Sequence, residues 1–153
     1  LGATPVITSS GGRISTASSI TLPSLTVTGN VQLDSGITTT GAQIYNNNVV
    51  VKAGTRASAA VISAANSDIS FKGTLKGEGN AKARSLTINA GTGNILFGDR
   101  VGYAFNGQTV NINNTADSFY KMTVTGNEIT VKGDVMTYEE QTYNGVKVLK
   151  QNF

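Results

Sequence analysis

The chain has 153 residues, which is room for one domain, and only 14% of them are charged, well below the ~25% of an ordinary soluble domain. Cysteine and histidine are both absent, which excludes disulfides, the usual zinc sites and the commonest general base. The net charge of +3 comes from basic residues scattered over 51–153 with few aromatic residues among them, so nucleic-acid binding is not expected.

Short runs of alternating or β-branched residues, each closed by glycine, asparagine or aspartate, follow one another along the whole chain. This pattern is typical of β-strands separated by tight corners. It predicts strands at 4–8, 19–22, 24–28, 31–33, 49–52, 59–63, 68–72, 84–89, 95–97, 101–105, 108–112, 120–125, 128–132 and 145–149. No apolar run approaches the ~18–20 residues that span a bilayer, so this segment is not expected to insert into a membrane.

Two sequence blocks recur in the same order about a hundred residues apart. The block Leu25–Asn30 returns as Met122–Asn127, 97 positions later, and Gln43-x-Tyr45-Asn46 returns as Gln141-x-Tyr143-Asn144, 98 positions later. Such a period is too long for one turn of a solenoid but would hold four or five turns of about 20–25 residues each. We therefore expect residues 1–153 to be a single β-helix segment with about one and a half copies of the repeat, cut from a larger repetitive protein.

The predicted fold class is all-β, a parallel β-helix whose small or β-branched apolar residues stack turn upon turn in the interior. The positions predicted to be interior are Val27, Ile62, Ile69, Ile88, Ile95, Val110, Ile112 and Val124. The alternative is an antiparallel β-sandwich, which also uses short strands and Asn-Gly loops such as Asn106-Gly107. The long repeat favours the β-helix, because two sandwich domains would need close to two hundred residues.

The runs at 24–30, 37–46, 85–95 and 141–145 resemble the long repeats of filamentous-haemagglutinin-like exoproteins. The most specific piece is the order Thr-Thr-Gly-Ala-Gln-x-Tyr-Asn at 39–46. The resemblance covers roughly residues 20–153 and implies a right-handed parallel β-helix. It also implies two-partner secretion through an outer-membrane pore, a secreted or cell-surface location, and a role in adhesion. It supplies no catalytic residues.

Nothing in the chain predicts an enzyme. The nine carboxylates are dispersed, and the closest charged pairs are Asp99-Arg100 and Glu139-Glu140. Adjacent residues of a strand point to opposite faces, so neither pair is expected to converge on one substrate atom. Gly91–Asn94 lacks the residues of a phosphate-binding loop and indicates a corner. No catalytic, cofactor-binding or metal-binding residue is predicted.

We expect a structural stalk of six or seven turns, a rod on the order of 30 Å long, that presents a distal functional region. Its partners would be neighbouring repeats of the same chain and, for the parent protein, the secretion pore. The alternative is an adhesive module that contacts host glycan or a host surface protein through an exposed β-helix face. The candidate contact residues are Lys72, Lys76, Lys82 and Arg84.

Overall fold

The computed structural model describes residues 6–7, 12–14, 20–78, 84–102 and 118–150. In these residues all regular structure is β, and every strand pairing is parallel. The prediction of a parallel β-helix is confirmed, and the antiparallel sandwich is wrong. The strands are β1 (Val6–Ile7), β2 (Gly12–Ile14), β3 (Ile20–Leu22), β4 (Leu25–Val27), β5 (Val31–Leu33), β6 (Ile37–Thr39), β7 (Gln43–Tyr45), β8 (Val49–Val51), β9 (Ala60–Ala64), β10 (Ile69–Phe71), β11 (Leu75–Gly77), β12 (Leu86–Asn89), β13 (Ile95–Phe97), β14 (Met122–Val131) and β15 (Gln141–Leu149).

The strands form three faces, and each turn of the chain visits them in order. The first face contains β1, β4, β7, β10, β13 and the C-terminal halves of β14 and β15; the second contains β2, β5, β8 and β11; the third contains β3, β6, β9, β12 and the N-terminal halves of β14 and β15. Because β14 continues from the third face onto the first, it joins these two faces into one eleven-stranded sheet.

The turns differ in length. Successive turns on the first face contain 20, 18, 26, 26, 34 and 18 residues, as shown by the stacked residues Val6, Thr26, Ile44, Ser70, Leu96, Thr130 and Val148. Most of the extra residues of the 26-residue turns lie between the second and third faces, where 52–59 separate β8 from β9 while only 34–36 separate β5 from β6. Insertions at this one corner leave the register of the three faces undisturbed.

The interior is built from three-residue strands in which the outer two side chains point inward. The first and last residues of β4, β5, β8 and β10 are buried and the middle residue is half-buried on the outside, as alternation in a strand requires. Of the predicted interior residues, all those described are buried: Val27, Ile62, Ile69, Ile88, Ile95 and Val124. Val110 and Ile112 lie outside the described residues.

The two copies of the sequence repeat occupy different faces. Leu25 begins β4 on the first face, whereas Met122 begins β14 on the third. Four turns from Leu25 along the first face lead to Ile129, a step of 104 residues rather than 97. The repeat therefore preserves a local unit of strand, corner and strand rather than a position in the β-helix.

Candidate functional site

The structure does not bring the predicted contact residues together as one patch. Lys72 is exposed at the corner that follows β10, and Lys76 is the half-buried, outward residue of β11 on the second face. Arg84 is turned back onto the chain, where its guanidinium donates hydrogen bonds to the backbone carbonyls of Val51 and Lys52. Lys82 lies outside the described residues.

A shallow groove runs over the outside of the first face. Its floor is formed by the outward residues of successive strands, Ser70 of β10, Leu96 of β13 and Thr130 of β14, which are in register with one another. The groove has a volume of about 280 Å³. Two hydroxyls and one aliphatic side chain give it a mixed polar and apolar surface.

Lys132 and Lys150 line one edge of this groove, and Lys72 stands beyond them in the same column of corner residues. Lys72, Lys132 and Lys150 each follow directly after a first-face strand, so they stack in one column at the corner, with Gly98 in the rung between Lys72 and Lys132. The backbone N–H groups of Gly98, Lys132 and Lys150 each donate to the rung before, which fixes this register. All three lysines are exposed, and in the described residues none forms an ion pair.

The opposite edge of the groove carries acceptor groups. Asp68 and Asn94 precede β10 and β13 and stack there, and the Asp68 carboxylate accepts a hydrogen bond from the Asn94 backbone N–H at 2.8 Å. The Asn94 side-chain oxygen in turn accepts from the Glu128 backbone N–H at 3.2 Å. Asp68 and Asn94 thus pin the corner while leaving carboxylate acceptor positions for a ligand.

A second ladder of polar side chains lies at the corner between the first and second faces. The side-chain oxygen of Asn30 accepts from the Asn48 backbone N–H at 3.2 Å. That of Asn48 accepts from the backbone N–H and the hydroxyl of Thr74, both at 3.0 Å. These side chains satisfy backbone donors that a tight bend leaves unpaired. The abundance of asparagine in the sequence is therefore explained by a structural role at the corners.

The adjacent carboxylates Glu139 and Glu140 converge, contrary to the expectation for neighbouring strand residues, because they lie in the bend before β15. Both contact the ammonium of Lys121, at 3.5 and 2.9 Å. Glu139 also accepts a hydrogen bond from the Tyr120 hydroxyl at 2.7 Å, which raises the pKa of Tyr120 and lowers that of Glu139. With these bonds the pair serves as an ion-paired surface corner.

Two tyrosine rings, a half-buried Tyr120 and an exposed Tyr138, continue this corner along the axis. Tyr120 and Tyr138 stack with ring centroids 5.9 Å apart, and the Arg56 guanidinium lies 4.6 Å from the Tyr120 centroid. The Tyr120 ring is thus already in contact with two neighbouring side chains. The ring is not available as a platform for a ligand to stack on.

Sequence reasoning missed Lys132 and Lys150 as site residues. The signal for them is positional: like Lys72, each directly follows the apolar last residue of a strand, and these last residues, Phe71, Val131 and Leu149, lie in one column. In the described ranges no helix is long and apolar enough to cross a membrane, and no cluster of three acidic residues has the geometry to hold a metal ion. No protein-family model, curated protein or solved structure matches the chain.

Proposed function

We propose that this chain is part of the stalk of a large secreted or cell-surface bacterial adhesin, where its length holds a distal functional region away from the cell. The observation that supports this most directly is the unbroken axial stack of parallel strands on the first face, from β1 to β15. Backbone hydrogen bonds between turns run along the axis of such a stack. The rod can therefore be lengthened by adding turns without disturbing the register of its three faces.

The interior supports the same proposal. Tyr45, Phe71 and Phe97 form a continuous aromatic stack along the first face, with centroid spacings of 5.0 and 5.8 Å and ring planes within 8° of parallel. Closely packed ring stacks of this kind resist sliding of one turn over the next. In this proposal the partners are neighbouring repeats of the same chain, and the parent protein leaves the cell through an outer-membrane pore.

The stalk function is tested by measuring the distance from a surface at which the chain can present a binding domain. The chain is displayed on a bead as one copy or two tandem copies that carry a small binding domain at the far end, and capture of a ligand set back within a dense polymer brush is measured. We expect capture to rise with the second copy. The matched control replaces each copy by a compact globular domain of similar residue number. Equal capture with one and two copies would contradict the proposal.

A further inference from the structure

We propose that the groove on the first face binds an extended acidic polysaccharide, with its carboxylates on Lys132 and Lys150, its hydroxyls on the edge formed by Asp68 and Asn94, and Lys72 available to the same chain where it continues beyond the groove. This site is separate from the stalk function and is carried by a different observation, the lysine column beside a polar groove. Binding along the side of the rod is compatible with a stalk.

The lysines point to an anionic ligand. Lys132 and Lys150 stand on adjacent rungs, about 4.8 Å apart, and Lys72 stands two rungs from Lys132. Like charges placed side by side on neighbouring strands destabilise a sheet. Within the described residues no carboxylate pairs with any of the three, whereas Lys52 pairs with Glu78 and Lys121 with Glu140. A ligand that supplies the missing negative charge would relieve this repulsion.

The groove floor points to sugar rather than to a phosphate polymer. Ser70 offers a hydroxyl that both donates and accepts, and the Thr130 hydroxyl, which donates to Glu128 at 3.1 Å, still offers an acceptor. Both match sugar hydroxyl groups, and Leu96 between them offers an aliphatic contact for a pyranose ring. Asp68 on the far edge can accept hydrogen bonds from sugar hydroxyl groups, which a polyphosphate lacks. No aromatic ring lines the groove, so the stacking that holds nucleic-acid bases is missing from this surface.

The groove also predicts how the ligand lies. Its floor and edges are contributed by β10, β13, β14 and the residue after β15, which are successive rungs along the axis. An extended chain laid along the axis therefore contacts Ser70, Leu96 and Thr130 on three successive rungs and the two lysines at the last rungs of the groove. Weak contacts repeated in this way add to a usable affinity through high effective concentration.

The test uses calorimetric titration with an oligomer of galacturonic acid, with neutral dextran and polyphosphate as comparison polymers. We expect the galacturonate oligomer to bind, the dextran to bind at least tenfold more weakly, and the polyphosphate to bind more weakly than the galacturonate. Lys132→Gln and Lys150→Gln should each weaken galacturonate binding about threefold, and the double variant about tenfold, as expected for exposed charge contacts. The matched control Lys52→Gln removes the same charge at another corner and should leave the affinity unchanged.

A second pair of variants tests the groove itself. Ser70→Glu places a negative charge on the groove floor and should abolish binding, whereas Thr87→Glu makes the same kind of change at a half-buried, outward position of the third face and should not. Circular dichroism of both variants checks that the fold is retained. The proposal is overturned if the unmodified chain does not bind the galacturonate oligomer, if polyphosphate binds as tightly, or if the control variants weaken binding as much as the groove variants.

Discussion

The hydroxyl of Tyr45 donates a hydrogen bond to Oε1 of Gln43 at 2.8 Å, and both side chains are fully buried in the interior of the β-helix. Nε2 of Gln43 donates to the Ser63 carbonyl at 2.7 Å and to the Thr39 hydroxyl at 3.1 Å. A polar glutamine is thus satisfied on both ends of its amide inside an apolar core. Because Gln43 and Tyr45 hydrogen-bond to each other, both polar side chains can occupy inward positions of the same strand.

The second copy of this unit provides a matched control for its contribution to stability. Tyr143 donates to Gln141 with the same 2.8 Å distance, but both residues are only half-buried. Gln43→Leu should lower the free energy of unfolding by about 1–3 kcal/mol, since it leaves the buried Tyr45 hydroxyl without its acceptor. Gln141→Leu should lower it by less than about 1 kcal/mol, because water can replace the lost partner. Urea denaturation measures both, and equal losses would refute the role of burial.

The aromatic stack predicts a difference between two phenylalanines. Phe71 stacks on Tyr45 at one side and Phe97 at the other, whereas among the described residues Phe97 stacks on Phe71 alone. Each stacked pair adds about 0.5–1.5 kcal/mol beyond the burial of apolar area. Phe71→Leu should therefore lower the free energy of unfolding by about 1 kcal/mol more than Phe97→Leu. Denaturation of the two variants in parallel measures this difference, and a larger loss at Phe97 would count against additive stacking.

Buried tyrosines predict that the fold weakens at alkaline pH. Burial raises the pKa of Tyr143 to about 12 and raises that of Tyr45 further, above the usual value near 10. Because the folded state holds these protons more tightly than the unfolded state, their contribution to stability is complete below pH 10. It is lost as the pH rises through the raised values.

Tyr45→Phe tests this directly. The variant should be less stable than the unmodified chain at neutral pH, because Gln43 loses a hydrogen-bond donor, yet its stability should fall less steeply between pH 10 and 12. The measurement is urea denaturation at several pH values, with tyrosinate absorbance followed in the same range. If the free energy of unfolding falls equally steeply with pH in both proteins, Tyr45 ionises as readily when folded as when unfolded.

Much of the fold was predictable because its interior follows a period of two in strands rich in β-branched residues. Val31–Leu33 and Ile95–Phe97 were predicted with the bounds that the structure shows. The strands β2, β6, β7 and β11 were missed. In β6, β7 and β11 an inward position is taken by Thr39, Gln43 or Gly77, so the alternation of apolar and polar residues is broken. These positions depend on hydrogen bonds and packing from neighbouring turns, which the local sequence does not reveal.

The candidate site was less predictable for a related reason. Proximity in sequence grouped Lys72, Lys76 and Arg84, yet turns of 18 to 34 residues place each of them at a different part of the cross-section. The alignment of Lys132 and Lys150 with Lys72 can be recognised only when the length of every intervening turn is known. Insertions at the corner between the second and third faces set those lengths, and they follow no fixed period.

Turn-by-turn construction makes a final prediction about deletions. Because Ile69 and Ile95 are partners in register, removing residues 69–94 takes out one whole turn and brings Phe97 onto Tyr45, which keeps an aromatic pair in the stack. We expect this variant to fold with one rung fewer, since each turn contacts only its neighbours.

Removing only residues 86–94 deletes the third-face strand β12 and shifts every later strand to the wrong face, so that variant should aggregate. In urea the whole-turn variant should keep a cooperative transition with an m-value lower by roughly one sixth, in proportion to the residues removed. Spin labels at the two ends should approach each other by about 4.8 Å. If both deletions fold equally well, the turn is not the structural unit of this chain.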